Sequence, residues 1–325
     1  MKGYRVQEFG DAGAMVWEEL GELVPGPGQV LVKVHASGIN FAETRMRRGT
    51  YSGQELPFVM GMESAGEVLE VGSGVTEFAV GDRVFGRARG SHAEAVLFDA
   101  QHLMPLPTRL DFVAGAAIPV GWLTAWHALV TVAGTRPGQR VLIEAVASSV
   151  GSAALQIAQW QGAWVAGTAS RDPKLERAKQ SGADAVYNYK TVDLRQRVGE
   201  DTGGAGIDIG LMTIGEETAE ALFDCMGQEG QVVMYGSTSG KKVTFDLNIG
   251  SRNLQLKSMS ISTSPRFLPE TMRTFREQAL PLFAAGAFKP VVDTVLPMSE
   301  LAKAHGMVND RDHFGKIIMS NDEVA

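Results

Sequence analysis

Residues 144–160 read EAVASSVGSAALQIAQW. The apolar run Val141-Leu142-Ile143 leads into this stretch and reads as a strand, and a helix-like run leaves it. The turn between them is built from small residues, with Ala145, Ser148 and Gly151 spaced three apart. A helix N-terminus presents unpaired backbone amides and a partial positive charge, and both attract phosphate without any side chain. Glycine in such a turn serves two other ends: it permits φ above zero, and it lets the backbone come close to a pyrophosphate. Here serine takes the crowded positions, costing room and adding a hydroxyl that can donate to a phosphate oxygen. Two readings stand: a diphosphate cradle, or a plain strand-turn-helix with Ser148 or Ser149 as N-cap.

The residues downstream favour the cradle. Strand-like runs at 141–144, 164–168, 185–187, 207–211 and 231–235 alternate with helix-like runs at 151–161, 173–180, 192–198 and 216–225. That rhythm predicts an α/β domain with a parallel sheet covered on both faces, its first strand feeding the small-residue turn. A run at 258–261 supplies a sixth strand. The first third of the chain reads differently. Short extended runs at 30–34, 66–72 and 82–85 sit between turn clusters such as Pro25-Gly26-Pro27-Gly28, which predicts a small β domain. The tail (a helix over 269–285, a strand over 291–295, a helix over 299–308, then Lys316-Ile317-Ile318-Met319) has no place in the alternating sheet. It is expected to fold back on the β domain.

The second strand of the series ends Gly167-Thr168-Ala169-Ser170-Arg171. A site for NAD places an acid there, to bond the ribose 2′-hydroxyl. Asp172 reads instead as an N-cap ahead of Pro173. Arg171 and Lys174 are therefore candidates to hold a 2′-phosphate, and the cofactor expected is NADPH; the alternative is that both are surface charges.

Composition narrows the function classes. The 325 residues suit about two domains, and the formal charge of -7 argues against a nucleic-acid surface. Arg45-Met46-Arg47-Arg48 is the one basic knot, read as a solvated loop. The lone Cys225 cannot form an internal disulfide and is expected to fill an apolar helix face. No continuous apolar run is long enough for a membrane span, so the expectation is a cytoplasmic protein.

With these residues in hand, the chain resembles the medium-chain dehydrogenase/reductase superfamily over nearly its full length. The likeness is closest to the zinc-free quinone oxidoreductase branch. It is carried by Gly38-Ile39-Asn40-Phe41-Ala42-Glu43-Thr44, Gly61-Met62-Glu63-Ser64-Ala65-Gly66, Val80-Gly81-Asp82-Arg83-Val84, Ala116-Ala117-Ile118-Pro119 with Leu123-Thr124-Ala125-Trp126, the turn at 145–151, and Gly315-Lys316-Ile317-Ile318. The resemblance implies a GroES-like β domain over 1–121, a Rossmann doubly wound parallel sheet domain over 122–265 that binds NADPH, and a return to the first domain over 266–325. It also implies a homodimer joined through the outer sheet strand near 257–261. Zinc-dependent relatives carry cysteine in place of Asn40 and histidine in place of Met62, so no metal is expected.

Position by position, the resemblance puts Ser148, Ser149, Val150 and Gly151 on the pyrophosphate, and Ser170, Lys174 and Tyr189 around the 2′-phosphate. Thr124, Thr213, Gly236 and Ser237 fall at the nicotinamide end, with Ser262 and Lys316 as weaker cofactor matches. Asn40 and Tyr51 fall beside nicotinamide and substrate. Arg45, where some relatives have an aromatic residue, points to an anionic or more polar substrate. The implied reaction is hydride transfer from NADPH to a small-molecule quinone or α,β-unsaturated carbonyl, with Asn40 or Tyr51 as donors to the oxyanion. The rival reading is a nucleotide-binding sensor or structural protein with little turnover.

Overall fold

The computed structural model describes residues 1–240, 243, 247–263 and 268–322. The chain divides into two compact units, Met1–Val120 with Arg276–Ala325, and Gly121–Phe275. The sequence reading drew the borders at 121 and 265.

The first unit begins with β1 (Lys2–Val6), β2 (Met15–Glu19), β3 (Gln29–Gly38), α1 (Phe41–Arg47), β4 (Phe58–Val59), β5 (Glu63–Val71), β6 (Arg83–Arg87), β7 (Ala95–Asp99), β8 (Leu103–Pro105) and α2 (Phe112–Ala116). β3 carries the sheet. It pairs antiparallel with both β5 and β7, which is why Val30, Val32 and Val34 are buried and the strand outruns its sequence signal. Helix α1 corrects the reading of residues 45–48. These are not a solvated loop: Met46 and Arg47 are buried, and Arg47 Nη1 donates to the Gly10 carbonyl at 2.7 Å. A guanidinium anchored on a carbonyl hides its stem in a way that charge counting does not see.

The second unit takes in most of α3 (Pro119–Trp126), then β9 (Arg140–Ile143), α4 (Ser149–Trp160), β10 (Trp164–Ala169), α5 (Asp172–Gln180), β11 (Ala185–Asn188), α6 (Leu194–Asp201), β12 (Ile207–Met212), α7 (Glu216–Cys225), β13 (Met226–Met234), β14 (Gln255–Ser258) and α8 (Leu268–Thr274). Its sheet is parallel throughout, in the order β11-β10-β9-β12-β13-β14. The fold class is the one expected: one α/β unit with a Rossmann sheet and one β-rich unit. The sixth strand lies three residues earlier than its expected run and ends at Ser258. Cys225 packs in the core with Leu222, Phe223 and Val232, and burial pushes its thiol up to about 12. Helix α8 belongs here because Thr271 and Thr274 meet His127 Nδ1 at 2.6 Å and Trp126 Nε1 at 3.0 Å, while Phe275 stands edge-on to Trp126. Those contacts carry the border past residue 265.

The tail supplies α9 (Leu280–Ala285), β15 (Val292–Pro297), α10 (Leu301–Asp310) and β16 (Lys316–Ser320) to the first unit. β16 pairs antiparallel with β3, setting Ile318 opposite Gly38. Leu301, Ala304, Val308, Ile317 and Met319 share a buried cluster with Val6, Ile39 and Met60. No helix among the described residues is long and apolar enough to cross a membrane.

Candidate functional site

The chain leaves β9 at Ile143 and turns at Ala145, whose φ is 50°. An L-residue there costs ~1 kcal/mol that glycine would not. Ser148 is the N-cap of α4, its Oγ accepting from the Gly151 amide at 3.0 Å. The capping alternative is thus realised, and it is compatible with the cradle reading. The Ser148 hydroxyl keeps its hydrogen to donate, and the first-turn amides of Ser149 and Val150 have no carbonyl within the helix to pair with. Gly151 is required by contact. A Cβ there would overlap the Ala145 oxygen and stand 2.7 Å from Val146 Cα. Ser149 does not crowd the bend, because its Oγ lies against the backbone of Gly121.

The sequence reading missed the residue that fixes this corner. Glu144 is buried at the end of β9. Its Oε2 accepts from the amides of Thr213 and Ile214 at 2.8 and 2.9 Å, and its Oε1 from Thr218 Oγ1 at 2.5 Å. Burial pushes its carboxyl up, against the pull of those three bonds. It ties β9 to β12 where the strand order reverses, the place where open α/β sheets bind ligands. A carboxylate ending an apolar strand was the available signal.

Several of the other expected cofactor residues follow the ends of strands in this sheet. Ser170, Arg171 and Lys174 follow β10, and the Tyr189 amide donates to the Ala169 carbonyl at 3.3 Å. Thr213 follows β12, Gly236 and Ser237 follow β13, and a Cβ on Gly236 would lie 2.9 Å from Thr213 Oγ1. Asp172 departs from its expected capping role. The N-cap position falls on Arg171, and Asp172 Oδ1 accepts from Asn188 Nδ2 at 2.7 Å. The one carboxylate near the end of β10 is therefore bonded to the neighbouring strand. Thr124 is buried in α3, and Ser262 is exposed after β14.

In the first unit, Asn40 stands at the N-cap of α1, paired with Glu43 in the positions of a capping box. Glu43 Oε1 accepts the Asn40 backbone amide at 3.0 Å. Its Nδ2 donates to Glu43 Oε1 at 3.0 Å and to Glu63 Oε1 at 2.8 Å, and its Oδ1 accepts from Lys316 Nζ at 2.7 Å. Lys316 and Glu63 form a buried ion pair, and Glu63 Oε2 accepts the Val120 amide at 2.6 Å. Gly38 makes room for it: a Cβ there would meet Lys316 Cε at 2.6 Å and Glu63 Oε1 at 2.7 Å. Lys316, expected at the cofactor, thus has both its polar partners in this unit. Neither amide hydrogen of Asn40 is left for an oxyanion in this arrangement. Tyr51 is half-buried, and no hydrogen bond joins it to Asn40 among the described residues. Arg45 Nη2 donates to the Thr50 carbonyl at 3.3 Å. Arg87, set opposite Glu63 across β5 and β6, feels burial most strongly, which lowers its pKa against the opposing pull of Glu63 and Tyr51.

The Asn40 cluster does not suit a zinc ion. The amide has spent its atoms, position 62 offers a thioether, and the carboxylate of Glu63 is already neutralised by an ammonium.

A family model for the alcohol dehydrogenase GroES-like domain matches residues 26–108, and one for zinc-binding dehydrogenases matches residues 149–285. Human quinone oxidoreductase is 32% identical, the match covering 98% of this chain and 97% of that protein. A 2-haloacrylate reductase from a Burkholderia species is 33% identical, with 97% of each covered. The solved Escherichia coli quinone oxidoreductase complexed with NADPH superposes with a TM-score of 0.91 at 28% identity, covering 98% of this chain and 100% of that one.

Proposed function

The chain belongs to the medium-chain dehydrogenase/reductase superfamily, in its quinone oxidoreductase branch, and from that premise we propose that it transfers a hydride from NADPH to a quinone or an α,β-unsaturated carbonyl without zinc. The observation that carries the reading is the cradle at α4, where a glycine without room for Cβ, a capping hydroxyl and open first-turn amides meet at the strand-order reversal. The name of the Burkholderia relative favours keeping activated alkenes beside quinones as acceptors.

Ser148, Ser149, Val150 and Gly151 would hold the diphosphate. Ser170, Arg171, Lys174 and Tyr189 would take the 2′-phosphate, and Thr124, Thr213, Gly236 and Ser237 would line the nicotinamide end with Ser262. Bound NADPH supplies the hydride. Asn40, Tyr51 and Arg45 act on the acceptor. Since the Asn40 amide donates to two carboxylates and its Oδ1 accepts from Lys316, its contribution on the acceptor side is to order this buried polar network. A homodimer formed along β14 completes the reading, and sedimentation in the ultracentrifuge at graded concentrations reads it.

Loss of NADPH absorbance in the presence of a panel of quinones and enones tests the activity. Turnover of at least one acceptor is expected. Saturable NADPH binding with no turnover across the panel would support a sensor or structural role instead. Replacing Arg171 and Lys174 together with alanine is expected to cut the preference for NADPH over NADH on the order of 10-fold to 100-fold, given one or two lost charge-assisted contacts. An unchanged preference would remove both from the site.

A further inference from the structure

Beside the Asn40 cluster lies a second buried group that the proposed reaction does not use: Glu43, His92 and His305, each with a ligating atom within 4.8 Å of the others'. The spacing would admit a metal ion, but the proton positions oppose it. Arg47 Nε donates to His305 Nδ1 at 3.3 Å, which places the remaining hydrogen of that neutral ring on Nε2. The Arg47 guanidinium is itself anchored on the Gly10 carbonyl. His305 Nε2 is buried and has no hydrogen-bond partner among the described residues. A metal bound at Nε2 would force the hydrogen to Nδ1, against the Arg47 donor.

The same atoms make a continuous hydrogen-bonded path to Asn40. Ser37 Oγ meets His92 Nδ1 at 2.8 Å, and His92 Nε2 donates to Glu43 Oε2 at 2.6 Å. The other oxygen of Glu43 accepts both the backbone amide and the Nδ2 of Asn40 at 3.0 Å. Every member of this path lies within the first unit. Asn40 has a competing pose. As the N-cap of α1 its side-chain oxygen also faces the first-turn amides. With its Nδ2 held by Glu43, its Oδ1 accepts from Lys316. A carboxylate fixed at one oxygen only can rotate, and the bond from His92 fixes the second.

We propose that His92 is a positioning residue for Asn40, acting through Glu43: it clamps the carboxylate so that the Asn40 side-chain oxygen stays directed at Lys316. The inference rests on the reading of Asn40 as an acceptor-side residue.

The test compares His92→Phe with His92→Gln. Phenylalanine removes the donor to Glu43, whereas glutamine can restore an N–H. With a quinone turned over by the wild type, His92→Phe is expected to lose kcat on the order of 10-fold to 100-fold, as for a misplaced catalytic group, with the KM for NADPH within about twofold. His92→Gln is expected to recover most of the loss. Equal kcat in wild type and His92→Phe, or no recovery with glutamine, would overturn the proposal. A second readout separates this from failure of the functional reading: the side-chain amide protons of Asn40, followed by NMR in the whole protein without substrate. They should be shifted and slow to exchange in the wild type and altered in His92→Phe. If no acceptor is turned over, that spectrum still decides, and unchanged Asn40 signals overturn the assignment. If His92→Phe fails to fold, Ser37→Ala serves in its place, with a smaller expected change of the same Asn40 signals. Stoichiometric zinc uptake that is lost in His305→Ala would also overturn it, by making these side chains ligands.

Discussion

The turn between β9 and α4 and the polar cluster around Asn40 are both small, both polar and both at the heart of the proposed chemistry. The turn draws on seven consecutive residues, Ala145 to Gly151, and its useful groups are mainly backbone amides. The cluster draws on Ser37, Asn40, Glu43, Glu63, His92 and Lys316, with Asn40 and its Lys316 partner 276 positions apart, and its useful groups are side chains. The first is shaped mainly by contacts within the turn, with Glu144 anchoring its entry to Thr213, Ile214 and Thr218. The second exists only while β3, β5 and β16 are docked, so its charges are coupled to the stability of the unit.

The sharpest way to break this contrast is to damage each region once and compare the losses. Gly151→Ala drives a Cβ into the Ala145 carbonyl, and loss of NADPH binding by more than ~100-fold is expected. Fluorescence titration reads it, while hydrogen exchange of β3 and β16 in the first unit should stay unchanged. Glu63→Gln leaves the Lys316 ammonium buried without its counter-charge, and should cost the first unit ~3 to 5 kcal/mol, read by exchange of the same amides.

A titration comes next in size. Burial, with help from the nearby positive groups, pushes His305 down to about 4 from an ordinary 6.5, against the pull of Glu43. Between those two values the unfolded chain binds a proton that the native ring refuses. Stability of the first unit is therefore complete above about 6.5, falls as pH drops toward about 4, and levels off below, a loss of ~3 kcal/mol in all. His305→Phe should flatten that slope in urea unfolding measured across the range. The smallest effect is expected at Ala145→Gly, which relieves the positive φ and should raise the stability of the second unit by ~1 kcal/mol in urea unfolding.

Where the sequence reading succeeded, the signal was periodic or contiguous. The alternation of strands and helices from 141 to 235 is visible because burial on both faces demands apolar runs of limited length. The N-cap at Ser148 and the close approach at Gly151 are local consequences of one turn. Where it failed, the residue answered to something far along the chain. Asp172 looked like a cap for its own helix but is bonded by Asn188 of β11. Arg47 looked exposed until Gly10 and His305 received it. Glu144 and His92 raised no expectation at all, because one acid and one histidine carry no pattern until Thr213 or Glu43 is set beside them.

The sequence by itself determined the class of fold, the location of the small-residue turn before α4 and the identity of the groups in it, since these depend on backbone geometry within a few residues. Tertiary structure alone decided which way the Asn40 amide points, that Lys316 is held by Glu63, and that Glu144 locks the strand-order reversal. Each of those is a choice of partner for a buried polar group. Burial makes an unpaired group costly, and the partner that removes the cost lies wherever the fold brings one within reach.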